Sequence, residues 1–143
     1  MIRADNESGT RVPDQPAAAA IVDQVRAALE SDDLSQFRDL LHPDVRWGAP
    51  GDPSPSCQNR DQVLTWYRQG REAGIRARVT GADVWRDKIL VALRVTGNRA
   101  DESIGGESER WQVLTVRDGQ IADIRACERR ADAEALVAAP DGR

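Results

Sequence analysis

WQVLTVRDGQIADIR, running from Trp111 to Arg125, is the stretch on which the architecture turns. Asp118-Gly119 is the strongest short-range turn signal in the chain, because a two-residue type I′ hairpin turn needs positive φ at both central positions and Asp-Gly tolerates it. On both sides apolar and polar residues alternate with period two, so Glu107 to Val116 and Gln120 to Glu128 are predicted to pair as antiparallel strands. Counting outward from the turn pairs Val116 with Ile121, Val113 with Ile124, Trp111 with Ala126 and Glu109 with Glu128. That register gathers Glu109, Trp111, Val113, Ile124, Ala126 and Glu128 on one face, expected to line a pocket. Arg110, Gln112, Leu114, Asp123, Arg125 and Cys127 fall on the other, a polar face suited to solvent or a subunit interface. A three-residue turn would invert the two.

Working back from the hairpin, the same period appears in Lys88 to Val95 and in Ile75 to Val79, with a turn near Arg86-Asp87-Lys88, and Asn98 to Gly106 reads as a polar loop. Earlier still the period is helical. Ile21, Val22, Val25, Ala28 and Leu29 recur at three- and four-residue spacing within Ala17 to Glu30, and Leu34, Phe37, Leu40 and Leu41 mark a shorter helix. That helix is expected to stop at His42, because the residue before a proline is pushed out of the helical region. Asp44 to Trp47 reads as a short strand, and Gly48 to Pro55 is too rich in Pro and Gly for regular structure. Asn59 with Gln62 three residues later matches a capping box and opens a helix that Gly74 ends. Ala131 to Ala138 is predicted as a closing short helix. Helices first and a meander of long strands afterwards give an α+β fold with an antiparallel sheet, not a βαβ pattern. The domain is expected to span residues 16–139, after a disordered polar tail (1–15) and before a frayed end (140–143).

A chain of 143 residues is enough for one core without a structural metal or disulfides. Net charge is −4, with no basic stripe, so neither a nucleic acid nor an anionic membrane surface is the expected partner. No run of apolar residues is long enough to span a bilayer, and no signal-peptide core opens the chain, which makes the cytoplasm the expected location. Cys57 and Cys127 lack the spacing of a zinc site, and His42 is the single histidine, so no metal site is expected. Aromatic residues are scarce, at 4%, and four of them are Trp. Each one is therefore worth placing individually.

The element order, with His42-Pro43-Asp44-Val45-Arg46-Trp47 at the first strand and the Trp111–Arg125 hairpin at the end, resembles the SnoaL-like domains of the nuclear transport factor 2 (ketosteroid isomerase-like) superfamily. The resemblance runs from Ala17 to Val137. It implies a conical, cystatin-like barrel in which the N-terminal helices cover the concave face of a strongly curved antiparallel sheet. It also implies a pocket at the wide end and homodimers formed through the outer sheet face. Polyketide cyclases, ketosteroid isomerase, limonene epoxide hydrolase, dehydratases and proteins without chemistry share this fold, so fold alone does not choose an activity.

Two departures bear on that choice. Related epoxide hydrolases carry an aspartate directly after an Arg in the last strand, where this chain has Arg125-Ala126. An isomerase-like base is expected just after the first strand, where Gly48 and Ala49 follow Trp47. What remains is Glu109 opposite Glu128, where like charges would force one carboxyl to hold a proton and form an acid/base couple; the plainer alternative leaves both solvated at a rim beside Arg94 or Arg129. Trp47, Trp66, Tyr67 and Trp111, with Val113, Ile124 and Ala126, form the expected wall for a flat apolar ligand, or simply part of the core. Arg94 either reaches inward to a ligand oxygen or outward to an interface. His42 and Asp44 read as local caps. The leading expectation is a cofactor-free pocket protein for a small apolar or aromatic metabolite, and the rival is an isomerase, polyketide cyclase or dehydratase with a Glu base.

Overall fold

The computed structural model describes residues 14–31, 33–97 and 107–138. The expected tail up to Pro13, the Asn98–Gly106 loop and the frayed residues 140–143 lie outside the described residues. Asp14 and Gln15, expected in the tail, belong to the first helix instead.

In chain order the elements are α1 (Asp14–Glu30), α2 (Ser35–Leu40), β1 (Leu41–Gly48), α3 (Arg60–Glu72), β2 (Arg76–Trp85), β3 (Lys88–Thr96), β4 (Glu107–Arg117), β5 (Gln120–Cys127) and α4 (Arg130–Ala138). The five strands form one sheet in the order β1-β5-β4-β3-β2. β2 to β5 are consecutive antiparallel neighbours, as expected of a meander. The sheet is nevertheless mixed, because β1 pairs parallel with β5. No hairpin joins those two strands, so turn geometry does not dictate their relative direction.

β1 is also longer than expected and takes over residues predicted as helix. α2 ends at Leu40, and Leu41 is already extended (φ −90°, ψ 132°). Pro43 is admissible in β1 because this strand is a sheet edge and its register shifts between Leu41 and Arg46, which leaves no ladder bond for Pro43 to break. His42 therefore caps no helix. Its Nδ1 accepts the backbone N–H of Asp44 at 3.0 Å.

Both hairpin turns fall as expected. Asp118 (φ 56°) and Gly119 (φ 79°) occupy the left-handed region that a type I′ turn requires. Arg86 (φ 61°) and Asp87 join Trp85 to Lys88. The Asn59 cap is present, its side chain accepting from Gln62 N at 2.9 Å. The return arm of the capping box differs, since Gln62 Oε1 accepts from Gln58 N (2.7 Å).

Bulges in β1, β2 and β5 bend the sheet around the helices. The β2 bulge begins at Val79, whose freed backbone groups are met by α1. Glu30 accepts the Val79 N–H at 2.9 Å and Arg26 donates to the Val79 carbonyl at 3.4 Å. Arg71 of α3 closes the other side by donating to the Leu29 carbonyl at 3.0 Å and to the Ser31 carbonyl, which caps the C-terminal end of α1.

Each face of the sheet carries a core of its own. On the inner face Val79, Ile89, Val91, Leu93, Leu114, Val116, Ile121 and Ile124 pack against Ile21, Val25 and Leu29 of α1, Phe37 and Leu40 of α2, and Val63 and Leu64 of α3. On the outer face Leu90, Val113 and Cys127 meet Ala133 of α4, with Trp111, Leu136 and Val137 packed around them. α4 thus covers part of the face expected to form a dimer. No helix among the described residues is long and apolar enough to cross a membrane.

Candidate functional site

The β4–β5 register corrects the expected pocket. Arg117 pairs with Gln120 and Val116 with Ile121, as the turn dictates, but the register then shifts by one residue around Ala122. Beyond it Thr115 pairs with Asp123, Leu114 with Ile124, Gln112 with Ala126 and Trp111 with Cys127. One extra residue in β5 turns the β4 residues to the opposite side from that predicted. Ile124 stays on the inner face with Ala126 two residues on, while Trp111 and Val113 move to the outer one and pack under α4.

Glu109 moves outward with them. It does not face Glu128; it sits opposite Arg94 in the β3–β4 ladder and forms an ion pair with it at 3.5 Å. Arg94 is therefore the outward Arg of the two alternatives. Glu128 is exposed just past the end of β5. The proposed carboxylate couple is not assembled.

Burial along the inner face is graded. At the turn end of the sheet Ile89, Val91, Leu114, Val116, Ile121 and Ile124 are almost completely enclosed. Toward the other end Val95, Arg110 and Ala126, together with Trp47 of β1 and Tyr67 of α3, keep part of their surface open. The helices thus cover the turn end of the inner face more completely than the other end.

At this open end lies Gln112, which sequence counting had placed on the outer face. It is the one buried polar side chain among the described residues, at 9% exposure. Its Nε2 donates to the Tyr67 hydroxyl at 3.1 Å, whereas its Oε1 is buried without a partner. The indole Nε1–H of Trp47 is likewise buried and unpaired, although Trp47 lies close enough to help lower the Tyr67 pKa. Burial is the larger influence and pushes that pKa up to about 12, against the lowering effects of Gln112 and Trp47. Tyr67 is therefore a neutral donor at physiological pH. Its ring lies 4.8 Å from Phe37, centroid to centroid. Trp66, expected in the pocket wall, instead stacks on Trp47 (5.1 Å) from outside and is 50% exposed.

β1 and α3 hold this cluster through the Pro- and Gly-rich segment between them. Trp47 and Cys57 exchange backbone hydrogen bonds of 3.1 Å in both directions, so the chain doubles back against β1. Arg125 pins the same segment from the outer face, donating to the Ala49 and Asp52 carbonyls at 3.0 and 2.9 Å while Asp123 holds its guanidinium. Cys57 and Cys127 both have pKa values raised by burial, which keeps them protonated and poorly nucleophilic.

A concavity of about 310 Å³ opens on the outer face between that segment and α4, lined by Lys88, Val113, Thr115, Asp123, Arg125 and Leu136 among others. Two of its charged residues are held in ion pairs, Arg125 with Asp123 of the same wall and Lys88 with the neighbouring Asp87 (3.5 Å). Among the described residues no group of three or more His, Cys, Asp or Glu is placed to hold a metal ion.

One signal for the inner-face cluster was present in the sequence. Ile121 and Ala122 are consecutive apolar residues, after which the apolar phase switches from odd to even at Ile124. Such a break in alternation marks an extra residue.

The family model for the SnoaL-like domain matches residues 22–124. Among solved structures, a protein from Sinorhizobium meliloti assigned as a polyketide cyclase superposes with a TM-score of 0.61 at 22% identity, covering 75% of this chain and 93% of that one. One from Kribbella flavida assigned as a ketosteroid isomerase gives 0.64 at 18%, covering 79% and 78%. An epoxide hydrolase of M. tuberculosis gives 0.59 at 15%, covering 85% and 90%. These likenesses are of fold. No curated protein matches the sequence significantly.

Proposed function

This chain belongs to the SnoaL-like domain family, and from that premise we propose that it binds a small, largely apolar metabolite at the open end of the inner sheet face. The observation that carries the reading is Gln112. A buried amide with an unpaired oxygen costs about 1 to 3 kcal/mol, and such a group persists where something else is meant to meet it. Beside it Trp47 and Tyr67, the latter backed by Phe37, offer mainly apolar surface, the usual make-up of a small-molecule site.

Binding is favoured over carboxylate-driven isomerisation or dehydration because Glu109 is turned to the opposite face and tied to Arg94. Among the Asp and Glu residues whose side chains are described, none is buried. The neutral groups at the open end can orient a carbonyl but cannot by themselves abstract a proton at neutral pH.

Ala126 lies opposite Gln112 in β5 and is partly open, which makes it the position from which to test the site. A flat aromatic probe such as 2-naphthol should quench tryptophan fluorescence of the wild-type protein. Ala126→Trp should fill the open end and abolish that quenching while circular dichroism stays unchanged. Undiminished affinity in the folded variant would place binding elsewhere.

A further inference from the structure

Three groups about the Tyr67 hydroxyl have hydrogen-bonding capacity left over, and their polarity is specific. Trp47 Nε1–H lies near the Tyr67 oxygen without completing a hydrogen bond, and Gln112 Oε1 is an acceptor without a donor. Tyr67 accepts from Gln112 Nε2 at 3.1 Å, which leaves its own O–H free to donate. We infer that the open end reads a planar ligand edge carrying a carbonyl acceptor beside an N–H donor, the edge of a lactam. The carbonyl accepts from Trp47 and Tyr67, and the neighbouring N–H donates to Gln112 Oε1.

This deepens the binding function proposed above and rests on it. A neutral edge fits better than a charged one, since all three groups are uncharged and Arg71, the cation whose charge reaches Tyr67, has its guanidinium on the Leu29 and Ser31 carbonyls. Arg110, the nearest basic residue along β4, keeps part of its surface open, with its Nη1 on the Glu109 carbonyl. A hydrocarbon of the same shape would leave Trp47 and Gln112 unpaired and so gains nothing from them. A site built around hydrogen bonds discriminates most strongly against the analogue that lacks the matching group.

Three bicyclic probes of nearly equal size separate the contributions by equilibrium dialysis: 2-quinolone with both groups, N-methyl-2-quinolone with the carbonyl only, and naphthalene with neither. The expected result is a loss of about tenfold in affinity at each step down the series, the size of one hydrogen bond to a buried partner. In Gln112→Leu the preference for 2-quinolone over its N-methyl analogue should fall below about twofold, while naphthalene binds at least as well as before. Trp47→Phe should weaken both quinolones and spare naphthalene, which keeps the test decisive if Gln112→Leu fails to fold. If all three probes bind the wild type equally, a buried water satisfies these groups and the lactam reading is overturned while the pocket stands. Equal binding of the two quinolones, both tighter than naphthalene, overturns the donor half by placing the Gln112 amide the other way round. Binding of none of them overturns the pocket itself.

Discussion

Replacing Gln112 by leucine should make the protein more stable, because in the unliganded protein this side chain serves a ligand rather than the fold. Gln112 is 9% exposed and its Oε1 has no partner, a desolvation cost of about 1 to 3 kcal/mol. Leucine has nearly the same volume and would lie beside the Tyr67 ring and Ala126 without opening a cavity. What is lost is the neutral hydrogen bond from Nε2 to Tyr67, worth about 0.5 to 1.5 kcal/mol. The difference favours the variant by roughly 1 kcal/mol, or about 3 to 4 °C in Tm for a domain of this size. Urea unfolding at pH 7, followed by circular dichroism and compared at equal m-value, reads it directly. Gln112→Ala serves as the control, since it removes the same orphan but opens a void, and it should be less stable than Gln112→Leu. If Gln112→Leu proves less stable than wild type by more than about 1 kcal/mol, Oε1 is satisfied in the free protein, by ordered water for instance. The argument for a vacant ligand contact would then fail.

The remaining predictions concern neighbouring elements. Tyr67 is the only tyrosine in the chain, so absorbance near 295 nm reports it alone, and its native midpoint should lie near 12 rather than 10. Because burial raises the folded pKa, the neutral phenol's contribution is fully present below pH 10 and is lost as pH rises from 10 toward 12, at roughly 1.4 kcal/mol per unit; a native midpoint near 10 would mean the hydroxyl is solvated. Arg71→Met should destabilise by about 2 to 3 kcal/mol, since it leaves the Leu29 and Ser31 carbonyls at the end of α1 without their charged donor. An unchanged urea midpoint would show that water replaces it. Trp111→Ala should cost about 2 to 3 kcal/mol through lost packing against α4, yet leave 2-naphthol binding unchanged. A loss of binding without a loss of stability would restore Trp111 to the pocket.

Much of the fold could be read locally. Asp118-Gly119 required a type I′ turn, Asn59 and Gln62 set the start of α3, and the change from helical to alternating period after Gly74 separated helices from sheet. Each of these depends on residues a few positions apart, whose sterics and hydrogen bonds operate in any surroundings. The motifs at Trp47 and in the last hairpin were enough to suggest the family, and the match over residues 22–124 bears that out.

The site was not legible in the same way, because it depends on which side of the sheet a residue faces. A single bulge at Ala122 moved Trp111, Val113 and Glu109 outward and brought Gln112 inward. Alternation specifies that two faces exist, but which one meets the helices is settled by packing. Nothing in the order of residues tied Tyr67 on α3 to Gln112 on β4, 45 positions apart, or made β1 run parallel to β5. Those juxtapositions arise when the helices and both ends of the sheet compete to bury Phe37, Leu41, Leu114 and Ile124 together. The sequence by itself determined the elements and their turns, through interactions that end within a few residues. Only the tertiary structure decided the inward face, because burial is a property of the whole assembly of elements and of no segment alone.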